Sequence, residues 1–148
     1  MKQIVLKFAI VASLACLSSC FLLYGPMGGN MGFMATTPDY RVELIECRGY
    51  HSAQMVTATL MITNRNANTR AWVGGSPNSY AIDDQGRRSQ PYSSSGVLAD
   101  LPTGVPVRVT IERIQPVFHT TMFRHLQISI GGGDKNRVTF RNVPIIWE

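Results

Sequence analysis

"MVTATLMIT", residues 55–63, alternates without a break: Val56, Ala58, Leu60 and Ile62 on one side, Thr57, Thr59, Met61 and Thr63 on the other. A period of two belongs to an extended chain whose successive side chains point to opposite faces, one face in a core and one in water. Working outward, the same rhythm recurs. "VPVRVTIER" (105–113) predicts Val105, Val107, Val109 and Ile111 inward with Arg108, Thr110 and Glu112 outward. "HLQISI" (125–130) predicts Leu126, Ile128 and Ile130 on one face. "RVTFRNVPIIWE" (137–148) places Val138 and Phe140 together, with Pro144 at a bulge or an edge because it has no N–H to give a ladder. "RVELIECRGY" (41–50) reads as a further strand.

Between these runs lie turn signals at short spacing: "NRNAN" (64–68), "GGSPNS" (74–79), "DDQG" (83–86), "PTG" (102–104) and "GGGDKN" (131–136). "SYAIDDQGRRSQPY" (79–92) reads as a hairpin with Gly86 in the left-handed turn position. No window carries a convincing helical period. Short strands with a turn about every ten residues predict an all-β domain over 39–148, an immunoglobulin-like two-sheet antiparallel β-sandwich of about seven strands. A small barrel is the second topology. "VTATLMITN" (56–64), the D-x-x-G hairpin and "LPTGVPVRVTI" (101–111) resemble the immunoglobulin-like domains carried by many bacterial lipoproteins. The paired cysteines of antibody domains are missing, and the resemblance offers Trp72 as a central core tryptophan.

The N-terminal segment has a different composition. Lys2 and Lys7 precede an apolar run from Phe8 to Leu17 broken only by Ser13, the layout of a secretory signal peptide and too short to span a bilayer. Leu17-Ser18-Ser19-Cys20 resembles the bacterial lipobox. The resemblance implies a signal peptide over 1–19, cleavage between Ser19 and Cys20, and a diacylglycerol with an N-acyl chain on Cys20. Two or three acyl chains make a durable anchor where one does not. Residues 20–38 then read as the lipidated N-terminus and a flexible Gly/Met-rich tether. Its part from Phe21 holds four glycines, two prolines and no charge. As a flexible chain it measures roughly 20 to 25 Å end to end, and at most about 60 Å when taut.

The whole chain carries a formal charge of +5. Without residues 1–19 it keeps 12 basic against 9 acidic side chains, with no basic run longer than Arg87-Arg88. Nucleic-acid binding requires a clustered basic footprint, so the sequence argues against that class. Cys16 leaves with the leader and Cys20 is the lipidation site, which leaves Cys47 without an intramolecular partner, either buried as a small apolar residue or paired with another chain.

Few residues carry recognisable chemistry. Six strand positions separate His119 from His125 by roughly 20 Å, too far to share a metal. Asp83 and Asp84 suit a turn that satisfies its own backbone better than a calcium site, since neighbouring strand residues diverge. Met27, Met31 and Met34 are soft ligands on a flexible chain and form a weak candidate Cu(I) site. "PYSSSG" contains no nucleophile-elbow motif. Tyr92, Ser93, Ser94 and Ser95 have the composition of an adaptable binding loop.

These readings predict a non-enzymatic, membrane-anchored lipoprotein with no cofactor beyond its lipid. Its sandwich would bind a protein or envelope component. Alternatives are an accessory lipoprotein subunit of a larger secretion or transport assembly, and a Cu(I)-handling protein. In enterobacterial lipoproteins an aspartate after the lipidated cysteine favours inner-membrane retention; Phe21 holds that position here, so the resemblance implies the outer membrane, facing the periplasm.

Overall fold

The computed structural model describes residues 33–75, 77–90, 96–115 and 120–148. The chain forms β1 (Phe33–Thr36), β2 (Tyr40–Tyr50), β3 (Met55–Asn64), β4 (Thr69–Val73), β5 (Tyr80–Asp83), β6 (Arg88–Ser89), β7 (Val97–Leu101), β8 (Pro106–Ile114), β9 (Met122–Ser129), β10 (Arg137–Pro144) and β11 (Ile146–Trp147). One sheet has the order β1-β2-β3-β8, with β11 also on β2, and a second has the order β10-β9-β5-β6. The β2-β3-β8 and β10-β9-β5 neighbours reproduce the A-B-E and G-F-C orders of an immunoglobulin-like sandwich. The strands exceed the expected seven because β4 and β7 pair as a separate two-stranded ribbon and β1, β6 and β11 are short additions.

The inward set of β3 holds, while Thr59 on the opposite face is also buried, 5% exposed, between its neighbours on β2 and β8. Val56, Ala58, Leu60 and Ile62 have no solvent exposure and pack with residues of both sheets into one core. Burying each such large aliphatic side chain contributes about 1.5 to 3 kcal/mol, which is what makes this strand the spine of the domain. Elsewhere bulges change the phase. In β2 the register shifts between Leu44 and Glu46, so Leu44 and Cys47, three apart, both point inward. In β8 a shift opposite Val56 and Ala58, with Arg113 at φ 61°, turns both Ile111 and Ile114 inward. An added residue rotates the strand, as a bulge must.

Several expectations need correction. Val105 is not a core residue. It follows the turn at Gly104, precedes the first residue of β8 and is 50% exposed, so the inward set begins at Val107. Trp72 is not a central core tryptophan either, since β4 buries Ala71 and Val73 and therefore turns Trp72 outward, 55% exposed. Phe33–Thr36, expected to belong to the tether, form a strand instead, because β1 pairs antiparallel with the first half of β2. Gly86 does take φ +79° in the β5–β6 hairpin, and Pro144 does end the edge strand β10.

Candidate functional site

The ribbon has an inward and an outward face. Ala71, Val73, Ala99 and Leu101 enter the core, while Arg70 and Trp72 of β4 and Leu98 and Asp100 of β7 face solvent. Trp72 stands directly opposite Leu98, and Arg70 opposite Asp100. The second pair forms an exposed ion pair at 3.2 Å beside the apolar pair.

The backbone beneath this face is fastened at both ends. Asn64 of β3 donates from Nδ2 to Leu101 O at 2.8 Å, and Gly104 N–H donates to Asn64 O at 2.8 Å. At the other end Gly131 N–H donates to Trp72 O at 2.7 Å and Gly74 N–H to Ser129 O at 3.0 Å. Gly96 lies so close to Gly75 that an added Cβ would sit 2.4 Å from its Cα. The ribbon thus spans from the first sheet to the second, and Trp72 is presented on fixed backbone. Tryptophan and arginine are the residue types enriched in interface hot spots, and this face presents both, with Leu98 widening the apolar area beside Trp72.

The other sequence candidates separate into structural groups. Asp83, 2% exposed, accepts at Oδ1 from Gln85 N–H (2.9 Å) and Arg87 N–H (2.8 Å), and at Oδ2 from Arg87 Nε (2.8 Å) and Thr120 Oγ1 (3.2 Å). Burial raises its pKa, but the hydrogen bonds from Arg87 and Gln85 outweigh that and hold it below the ordinary carboxylate value. Asp84 Oδ2 accepts from Thr121 N–H and Oγ1, which lowers its pKa. The pair closes a hairpin onto the start of β9. Among the described residues no three His, Cys, Asp or Glu side chains converge to hold a metal ion.

At the opposite end a shallow cleft of about 380 Å³ is lined by Asp39, Asn66, Asn68 and Lys135 among others. Its polar groups largely satisfy one another: Asp39 accepts from Asn136 (2.7 Å), Lys135 (3.1 Å) and Asn66 (2.5 Å), and its pKa is lowered by Asn136 first and Lys135 second. Such a cleft staples the turns to β2 and offers a ligand little.

Cys47 is 2% exposed, and burial, aided by Glu46, pushes its thiol up to about 12. Met34 lies in β1, 50% exposed, with its sulfur 3.4 Å from Arg41 Nη2. Ser19, Cys20, Met27, Met31, Tyr92, Ser93, Ser94, Ser95 and His119 fall outside the described residues. The 92–95 stretch directly precedes Gly96, whose Cβ position is 3.4 Å from the Trp72 ring.

Comparison with protein-family models, with curated proteins and with solved structures returns no match. The ribbon face was missed in the sequence reading although its signal was there. "TRAWV" and "VLADL" each set small or aliphatic residues at alternate positions, which fixes Trp72 and Leu98 on the other side.

Proposed function

We propose that the protein is a lipid-anchored, non-enzymatic binding module of the bacterial envelope, whose sandwich docks on a protein partner through the Trp72–Leu98 face. The observation that carries this reading is the cross-strand pair itself: two large apolar side chains in water, on a ribbon tied to both sheets. A packed sandwich gains nothing from leaving them there, whereas a partner that covers them removes apolar area from water. Cys20 with two or three acyl chains is the anchor, and the outer membrane facing the periplasm is the proposed location.

A stoichiometric subunit of a larger envelope assembly would use the same face, and co-purification of fixed-ratio partners separates that case from a free-standing binder. The copper reading draws no support from geometry, because Met34 belongs to a strand and its sulfur lies against Arg41. The anchor is tested by labelling cells with radioactive palmitate. The wild-type chain should take up label and Cys20→Ser should not, and label on the variant would contradict the assignment.

A further inference from the structure

The outer face of the second sheet has a charge pattern that the ribbon does not explain. Arg141, His125, Ile82 and Arg88 stand in one cross-strand row, each opposite the next. With strands about 4.8 Å apart, the row places Arg141 and Arg88 roughly 15 Å from each other. In the neighbouring row Thr139, Gln127 and Tyr80 are opposite one another. The Arg88 guanidinium lies 4.2 Å over the Tyr80 ring, and Tyr80 stacks on His125 at 5.1 Å and 12°. Stacking fixes the arginine head on the surface without neutralising it. Arg124, beside His125, is exposed as well.

All nine acidic side chains belong to described residues. The only one within these four strands is Asp83, which points inward and is 2% exposed. No ion pair to Arg88, Arg124 or Arg141 forms among the described residues. The first sheet differs, since there Glu46 pairs with Arg48 at 3.0 Å and faces Arg108 at 3.9 Å. On the second sheet Arg137 of β10 pairs with Asp134 in the adjoining turn, which leaves Arg88, Arg124 and Arg141 as an excess of positive charge on that face.

We infer that the β10-β9-β5-β6 face docks on an anionic phospholipid surface, the bilayer that carries the anchor. The inference rests on the anchor reading for the choice of occupant. From Cys20 to Phe33 the chain reaches at most about 45 Å, so the polyanion always within range is the membrane itself. The first strand, β1, lies beside β10, the edge strand of this face, so the chain arrives from the anchor next to it. Headgroup phosphates supply the complementary charge, and each arginine near such a surface strengthens partition about fivefold.

The test uses residues 21–148 without lipid, a chain that contains every core residue from Tyr40 to Ile145. Co-sedimentation is measured with vesicles of phosphatidylcholine alone and of phosphatidylcholine with one third phosphatidylglycerol. Binding to the anionic vesicles only is expected, weakened about 25-fold in Arg88→Gln/Arg141→Gln, kept in Arg88→Lys/Arg141→Lys and in the control Arg108→Gln, and lost at 1 M salt, where screening is nearly complete. Equal binding to neutral vesicles, an unaffected double Gln variant, or tighter binding to soluble polyglutamate than to anionic vesicles would overturn it. Palmitate labelling reports on the anchor separately, so a failed vesicle assay with a labelled Cys20 removes this inference and leaves the anchor intact.

Discussion

Trp72 and Leu98 face each other across the β4–β7 ribbon with relative exposures of 55% and 38%, while the residues on either side of each are half-buried or buried or belong to an exposed ion pair. Because both side chains point away from the core, replacing them should separate binding from stability. Trp72→Ala is expected to shift the free energy of unfolding by no more than about 1 kcal/mol, the range for surface positions. The same change should weaken partner binding at least about 30-fold, as a hot-spot truncation does. Urea unfolding and a quantitative pull-down, run on the same preparation, check the two halves.

The β5–β6 hairpin predicts a defined acid limb. Asp83 and Asp84 have native pKa values below 3.8, so the unfolded state binds more protons in the interval beneath that value. Their stabilising contribution is fully present above about pH 5 and is lost as pH falls from near 4 through the depressed native values. In Asp83→Asn this part of the pH dependence should flatten. The variant should also lose about 2 kcal/mol at pH 7, because the buried Thr120 hydroxyl and the partly buried donors of Arg87 lose a charged acceptor. Chemical denaturation between pH 3 and pH 7 measures both effects.

The C-terminal strand closes the free edge of β2 by a close approach. Ile146 and Trp147 pair in parallel with Arg48 and Gly49, Trp147 Nε1–H donates to Thr120 O at 2.7 Å, and a Cβ on Gly49 would meet the Trp147 ring at 2.4 Å. Gly49→Ala should therefore cost about 1 to 3 kcal/mol by forcing the indole away. Combined with Trp147→Ala, which removes the clash, the two costs should add to less than their sum. Denaturation of the two single variants and the double variant, read as a cycle, gives the coupling.

Cys47 should behave as an inert core residue. With 2% exposure and a thiol raised to about 12, it should resist iodoacetamide at pH 8 in the folded protein and react once the chain is unfolded in guanidinium. Mass spectrometry of the two samples makes the comparison. Rapid modification of the native protein would mean that the bulged section of β2 opens easily.

The sequence disclosed the sandwich through its unbroken alternation, and least where alternation is interrupted. Val56 to Ile62 were readable because every second residue in β3 is aliphatic and every one is buried. The hairpin was readable because Gly86 needs a left-handed turn. The bulges that place Cys47 and Ile114 inward depend on pairing with β3, a long-range event that local periodicity does not encode. β1 is short and half-exposed, so its composition resembled that of the residues before it. The resemblance to immunoglobulin-like domains offers Trp72 to the core, although the parity of Ala71 and Val73 points it outward. The basic face emerged only when Arg88, Arg124 and Arg141, spread over three strands, came together.

The most direct test of the account replaces Trp72 with a photo-crosslinking amino acid in the full chain and irradiates intact cells. A discrete adduct with a protein partner is expected from position 72 but not from Thr57 on the first sheet, and it should disappear when Leu98→Ser is added. The absence of any adduct from position 72, or the same adducts from Thr57, would contradict docking through the ribbon.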